Sequence, residues 1–555
     1  MRKLRISAPL AAACLCVSGF LFVASALWRH PGFPLDDSWI AVVMARNLAR
    51  YHVLGFYPGL RTPGSTSLLW TALFAAKFMF LRGVSPVVFS AVLCALEIGA
   101  IGALLKLIAM RDGLPPAESW ILALAPLLSG NFLWLGAVGM EHVLFVLLSL
   151  AALSAWFTSP GQRGRWSLAA SSVSLGLLLL TRPEGVLLLA ILLLFRKRAN
   201  RTWKDCSFLV LAVVLAEGIS MWVNWTVSHT LLPMTMKGRQ WFYFGPRITL
   251  IDRAVFVEWI VPRGLFNWTY RAAEIWNIPH PKQILVTAGG CALLGVFALM
   301  ARYYLEKRSR ASALLLWMLA LFCTYFAILP NFAHGGRYQP FVVLLTPALL
   351  AIGLLRLAQW TASRFRAIQP GQRPNRIVLA SVALLLALST AVSLLCWRGI
   401  LRDGNDAINS EHAVLGKWLS QNIPAAELAA HHVGVLDIGR IGYELNGDLF
   451  DLGGLTDPEY QPYLMRGDIG PYLVNQQIHY LVLPAQRDGL KLGGDFLPRL
   501  LANSQGRFEF ENLKTVCGPY PAVERSSAAT ASVQPCQTVY MLRYPGENLQ
   551  PQQPR

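Results

Sequence analysis

Charge is what this chain has least of. Of its 555 residues only 14% are Asp, Glu, Lys or Arg, while 55% are hydrophobic. Soluble globular proteins carry about a quarter charged residues. Length alone suggests several soluble domains, but so little charge excludes that reading and points to lipid as the solvent. Acidic residues are the scarcer kind, 30 against 49 basic, for a formal net charge of +19. In a soluble protein that surplus would suggest nucleic acid. Here Lys and Arg fall in short clusters between apolar runs, so no nucleic-acid partner is expected and orientation in a membrane accounts for them. Metal-type cysteine spacing is missing too. The nine cysteines show no CxxC and no Cys/His pattern of the kind that holds zinc. Seven lie in or beside apolar runs, while Cys517 and Cys536 stand apart in a polar tail. They are expected to pair if that tail faces an oxidising compartment. A Walker loop, internal repeats and low-complexity segments are also absent.

What the chain does have is apolar runs, near 7–28, 87–110, 118–135, 142–158, 167–181, 184–195, 207–228, 283–301, 311–329, 340–357 and 377–397. That makes about eleven transmembrane helices, since crossing a bilayer takes about 20 residues. The start, MRKLR followed by an apolar run to Trp28, mimics a signal peptide, with Ala24-Ser25-Ala26 resembling a cleavage site. The run is longer than a signal's apolar core, so an uncleaved first helix is expected. The segment 67–81 is apolar but short, and Lys77 interrupts it. Charge decides its role. With Arg2, Lys3 and Arg5 inside, leaving 67–81 uncrossed puts Arg111, Arg163, Arg165, the 196–204 cluster, Arg302 to Arg310 and Arg356 to Arg376 on the inner side as well. The segment is therefore expected to be re-entrant or interfacial, and the topology N-in/C-out. The loop 29–66, Glu141, Glu184, the loop 229–282, residues 334–337 and everything after 397 then share the outer side.

Two domains are expected, a transmembrane module over 1–397 and an extracytoplasmic α/β domain over 398–555. In the first loop, 37–51 has helical spacing, with Ile40, Val43 and Met44 on one side and Arg46 and Arg50 elsewhere. This reads as an amphipathic helix lying at the interface. In the tail, 411–422 reads as a helix, 433–436 and 480–483 as buried strands, and Gly439 to Gly442 and Gly453-Gly454 as turns.

The first loop reads FPLDDSWIAVVMARNLARYHVLGFYPGLRTPGSTSLLW. Its acidic pair, Asp36-Asp37, precedes the helix; an F-x-P-G turn and a GSTSLLW entry follow. Together with Gly139-Met140-Glu141, Thr181-Arg182-Pro183-Glu184-Gly185, Gly336-Arg337-Tyr338 and the tail segment GVLDIGRIGYELNGDLFDLGGLTDP, this order of motifs resembles bacterial polyprenyl-phosphate-dependent glycosyltransferases of the GT-C superfold. Within that group the chain looks like the membrane arabinofuranosyltransferases of cell-wall assembly and their unassigned relatives. The resemblance implies an inverting enzyme that moves a sugar from a polyprenyl-phosphate donor to an extracytoplasmic glycan, lipid or protein acceptor. It also implies a bacterial inner-membrane location. The first acid of the pair, Asp36, is then the base, and Asp37 positions the acceptor, Asp36 or a metal.

The chemistry agrees. Attack on an anomeric carbon needs a base for the acceptor proton, and a carboxylate in hydrogen-bond reach serves. Two adjacent carboxylates repel, which raises one pKa. The competing reading is a pair of helix-start acids, favoured there by capping and the helix dipole. Glu141 and Glu184, at apolar helix ends, are substrate-binding candidates because carboxylates there are costly; Arg182 either pairs with Glu184 or meets substrate. For the lipid phosphate the candidates are Arg337 with His334 and Tyr338, Lys237 and Arg239 in the outer loop, and Arg182. The many aromatics of 232–270, Trp241, Phe242, Tyr243, Phe244, Trp259, Trp268 and Tyr270 among them, read as an interfacial belt. Asp437, Asp451 and Asp457 fit turn chemistry. No cofactor is demanded, although a divalent cation shared by Asp36, Asp37 and Glu141 is conceivable if folding gathers them. Two other classes compete: a transporter or flippase of a lipid-linked sugar, with intramembrane acids for proton coupling, and a noncatalytic assembly subunit anchored by its tail.

Overall fold

A computed structural model describes residues 2–56, 65, 67–158, 164–231, 235, 238–240, 247–265, 309–331, 333–365, 376–445, 448–486, 508–518 and 535–544. The expected span at 283–301, Lys237 and most of the aromatic loop lie outside the described residues, as does the side chain of His334. The chain divides into two compact units. One comprises Met1–Ala26, Ser90–Glu217 and Leu250–Gly399; the other comprises Leu27–Phe89, Gly218–Thr249 and Ile400–Arg555.

Six helical stretches among the described residues are long and apolar enough to cross a membrane: Ala8–Trp28, Pro86–Arg111, Trp203–Ser228, Arg310–Ile328, Pro340–Thr361 and Ala383–Asn422. The last is 40 residues long, about twice what a crossing takes, and it breaks between Ser410 and His412, so only its apolar first half is a span and His412–Asn422 lies beyond it. The chain is a multi-pass membrane protein. The run 118–135 differs from expectation. It is broken into Pro116–Ala123, Ala125–Leu128 and Gly130–Ala137. The breaks have local causes. Pro126 has no N–H to continue a helix. Ser129 leaves helical geometry, and its side chain accepts a hydrogen bond from Phe132 N, so it starts a new helix. A second break at 138–141 bends Gly130–Ala137 against His142–Trp156 by 112°, and Gly139 takes a φ of +83° there.

Several arginines of the expected inner clusters are spent on internal bonds within the first unit. Arg310 grips Asp112 at 3.0 Å. Arg356 holds Glu118 in a two-pronged pair at 2.7 and 2.9 Å. Arg201 donates to the carbonyls of Ala155, Trp156 and Thr158, the end of the His142–Trp156 helix. These bonds satisfy helix-terminal carbonyls and buried acids that lipid could not.

The second unit is built on a five-stranded sheet, in order β2-β1-β3-β5-β4, with β1 His432–Val435, β2 Leu449–Asp451, β3 Ile478–Gln486, β4 Glu509–Cys517 and β5 Pro535–Arg543. β1 pairs parallel to β2 and β3, while β5 runs antiparallel to β3 and β4. Alternation along β3 feeds two cores: Tyr480 and Val482 enter one, Leu481 and Leu483 the other. Ile478, on the far side of the register shift between His432 and Val433, joins the second. The expected helix 411–422 is His412–Asn422, and the expected strands fall within β1 and β3. Gly439 to Gly442 is not a turn. It lies in the helix Ile438–Glu444, and its glycines serve close packing. A Cβ on Gly439 would stand 2.0 Å from the carbonyl oxygen of Asp36, and one on Gly442 would stand 2.3 Å from the Phe56 ring.

The first-loop helix, Asp36–Tyr51, begins one residue earlier than expected. Its apolar side is covered by protein rather than lipid. Ile40, Val43 and Met44 join Phe56 in one core with Leu415, Leu419, Val433, Val435, Ile441 and Val482. The segment 67–81 forms a helix of 13 residues, Leu68–Phe80.

Cys517 and Cys536 face each other across β4 and β5 and form a disulfide. The bond closes a loop of sequence separation 19. Replacing both by serine is expected to lower the stability of the second unit by about 3 kcal/mol. The check is an earlier thermal transition by tryptophan fluorescence in detergent; an unchanged transition would count against a stabilising bond.

Candidate functional site

Asp36 and Asp37 open the helix Asp36–Tyr51, with Leu35 at the cap position in extended geometry and no side-chain cap. Neither acid is the N-cap. Asp36 instead reaches across the second unit. Its Oδ2 accepts from Gly439 N at 2.6 Å and its Oδ1 from Arg440 N at 2.8 Å. Oδ1 also takes a hydrogen bond from His412 Nδ1 at 2.9 Å. The carboxylate thus caps a second helix, Ile438–Glu444, whose own leading residue Asp437 makes no side-chain cap and accepts from Gln537 Nε2. Burial raises the Asp437 pKa, nearby His412 lowers it, and Asp36 raises it again. Asp37 stands 3.7 Å from the Arg239 guanidinium. Both Asp36 and His412 have side chains about a tenth exposed, and Asp37 is more open at 25%.

Arg440 continues the cluster. Its guanidinium lies 4.1 Å from the centre of the Trp39 ring and pairs with Glu444 at 2.5 Å. Trp39 is also stacked by Phe33 and Tyr443. Further along, Asp451 is buried and accepts the N–H groups of Gly453, Leu455 and Thr456. Burial pushes its pKa up to about 6, and the three amides pull against that. Asp457 accepts from the Tyr472 hydroxyl and from Glu459 N. Both acids therefore hold turns.

In the first unit a second set of expected residues meets. Arg182 donates to Glu141 at 2.9 Å, to Glu184 at 3.0 Å and to the Tyr325 hydroxyl at 2.6 Å. That hydroxyl in turn donates to Glu184. Arg182 also stands 3.1 Å from His142 Nδ1. Arg337 is 1% exposed; it donates to Tyr338 at 3.0 Å and to the Met140 sulfur at 3.4 Å. Two guanidinium groups stand near the Tyr338 ring, Arg182 at 5.7 Å and Arg337 at 5.0 Å from its centre. Gly335 and Gly336 precede it with φ of +69° and +72°, left-handed values that suit glycine. Asn131 fastens this bend by donating to Gly335 O at 2.8 Å.

The structure therefore brings Glu141, Arg182, Glu184, Arg337 and Tyr338 into one cluster of the first unit, and Asp36, Asp37 and Arg239 into one cluster of the second. Asp36 and Asp37 belong to one unit and Glu141 to the other, and Glu141 is engaged by Arg182. Among the described residues no group of three His, Cys, Asp or Glu side chains is arranged to hold a metal ion. The sequence reading missed His412, Tyr325, His142 and Asn131. His412 is 376 residues from Asp36, and no local spacing joins them. Tyr325 sits in an apolar helix, where its hydroxyl needed a partner once buried; that was a usable signal.

The fold, a multi-helix membrane module with a small sheet domain, is similar to that of solved structures. Two structures of the Archaeoglobus fulgidus oligosaccharyltransferase match it. One is AglB in complex with an inhibitory peptide and a dolichol-phosphate, at TM-score 0.52 and 12% identity, covering 85% of this chain and 69% of that chain. The other is the apo form, at TM-score 0.52 and 14% identity with the same coverage. ArnT from Cupriavidus metallidurans in the apo state aligns over 90% of this chain and 93% of that one, at 13% identity and TM-score 0.49. A family model described as a domain of unknown function (DUF8728) matches residues 405–534. No curated protein matches the sequence.

Proposed function

We propose that this protein is an inverting glycosyltransferase that moves a sugar from a polyprenyl-phosphate donor to a hydroxyl of an extracytoplasmic glycan, lipid or protein. The observation that carries the reading is the GT-C fold shared with an oligosaccharyltransferase seen with dolichol-phosphate. In the proposed reaction a carboxylate takes the acceptor proton, the acceptor oxygen bonds to the anomeric carbon, and the bond from that carbon to the phosphate oxygen breaks. Of the acidic pair, Asp37 suits the base better than Asp36. Asp36 already accepts three hydrogen bonds on its two oxygens, so its carboxylate is held as an anchor and its acceptor positions are taken up by the protein. This reverses the order implied by the resemblance, which puts Asp36 first.

The leaving phosphate is proposed to be met by guanidinium donors, which suit phosphate geometry. Arg239, close to Asp37, is the candidate in the second unit, and Arg337 with Tyr338 in the first. Arg182 is committed to Glu141 and Glu184, so it is proposed to hold the cluster together. A location in a bacterial inner membrane with the second unit outside is supported by the basic clusters of the sequence and by the Cys517–Cys536 bond, which persists in oxidising compartments.

The test is transfer by purified protein in liposomes, given a panel of polyprenyl-phosphate sugars, with and without divalent cation and chelator. Glycosylated product with release of polyprenyl phosphate is expected. Counterflow of lipid-linked sugar without any covalent product would instead establish the transporter reading.

A further inference from the structure

We propose that His412 is a positioning residue of the acidic-pair site: it fixes Asp36 as an anchor against the amides of Gly439 and Arg440, and so sets the direction in which Asp37 points. The inference rests on the reading of Asp37 as the base. Its geometry stands on three distances to one carboxylate, 2.6 Å from Gly439 N, 2.8 Å from Arg440 N and 2.9 Å from His412 Nδ1. The helix Asp36–Tyr51 has its apolar side in a shared core, so its rotation is constrained from below. Asp36 constrains its first turn. Neighbouring helix positions differ by about 100°, so a first turn with Asp36 pinned presents Asp37 in one direction.

His412 opens the helix His412–Asn422 and is 7% exposed. Its Nδ1 must carry a proton to meet the carboxylate. The charged groups around it are Asp36 from the first-loop helix, Asp437 from the end of β1 and Glu411 beside it. Burial pulls its pKa down, but the Asp36 hydrogen bond and the three acidic charges outweigh this and lift it from 6.5 to about 9. At neutral pH the imidazole is therefore a cation, and Asp36 has a charged partner. An imidazole with a raised pKa gives its full contribution below 6.5 and loses it as pH rises through about 9. The guanidinium of Arg440 does not substitute, because it is engaged by Glu444 and Trp39.

The experiment compares wild type, His412→Gln, His412→Ala and Asp36→Asn in liposomes. It reads kcat and KM from pH 6 to pH 10 and the thermal transition of each variant. For the wild type, kcat is expected to fall above about pH 9. His412→Gln keeps a donor but not the charge; its kcat is expected about tenfold lower, with KM for the donor lipid unchanged and the alkaline fall gone. His412→Ala is expected to lose more and to be partly restored by added imidazole. The thermal shifts of His412→Gln and Asp36→Asn are expected to be non-additive below pH 9 and additive above it. An unchanged kcat and pH profile in His412→Gln, or additive shifts throughout, would overturn the proposal. A wild-type protein that transfers no sugar defeats the glycosyltransferase reading instead, and the thermal cycle still decides whether His412 and Asp36 act as a pair.

Discussion

Asp37→Asn is expected to lower the rate of sugar transfer by about two to four orders of magnitude, the range for loss of a positioned general base. The substitution keeps shape and volume and removes the carboxylate's basicity together with its charge toward Arg239. KM for the donor lipid is therefore expected to change little, and the loss should appear in kcat. Asp36→Asn is expected to fail differently. The carboxylate accepts from three N–H groups with both oxygens. An amide offers one acceptor oxygen and turns two further donors toward donors. Hydrogen bonds to a charged group contribute about 1.5–3 kcal/mol each, so Asp36→Asn is expected to lower the melting transition by more than Asp37→Asn does. Purified variants assayed in parallel for transfer and unfolding separate the two roles. An Asp37→Asn protein with wild-type kcat would remove it from the chemistry. An Asp36→Asn protein with normal stability and a rate loss of two orders or more would restore Asp36 as the base.

The second large effect is expected at Arg182. Its side chain is 10% exposed and holds two carboxylates, Glu141 and Glu184, that are 7% and 16% exposed. Removing one partner of a buried ion pair leaves charge without compensation and costs about 3–5 kcal/mol. Arg182→Met keeps length and apolar contact with the Phe145 and Tyr338 rings, which the guanidinium approaches within 6 Å, yet strands both acids. It is expected to reduce the yield of folded protein and to lower the melting transition in detergent. The triple change Arg182→Met, Glu141→Gln, Glu184→Gln removes the charges together and is expected to recover much of the lost stability. A triple variant no more stable than Arg182→Met would show that the ionic network is not what Arg182 supplies. The comparison also bears on function: a triple variant that folds but transfers no sugar would move these residues from scaffold to substrate binding.

Much of this was legible in the sequence because lipid imposes strict rules. Span length, apolar content and the placement of Lys and Arg announce a polytopic chain. The first-loop helix could be read to within a residue from Ile40, Val43 and Met44. What could not be read is what covers that face. An amphipathic helix looks the same whether lipid or protein is its apolar neighbour, and here the neighbour is the tail's core. Gly439 to Gly442 misled for a related reason. Glycine marks a turn when it supplies backbone freedom, but it also marks close approach, and here a Cβ would overlap Asp36 at one position and Phe56 at the other. The 118–135 run read as one span because hydropathy averages over Pro126 and Ser129, which break it. Arg182 was legible as a partner of Glu184 because the two are only two residues apart in sequence; Tyr325 and His412 were not, because their partners are remote.

The Asp36 clamp has a consequence for how the chain is made. Its partner Arg440 N is 404 residues downstream, and β5, the strand that pairs with both β3 and β4, extends to Arg543. The first-loop helix leaves the ribosome early and waits through nearly the whole of translation, and every membrane insertion in between, before its core exists. Chains with such long-range closures fold late and expose apolar surface meanwhile. A truncation upstream of His412 thus orphans a helix at the other end of the sequence, and loss of β5 takes Val539 out of the core on which that helix rests.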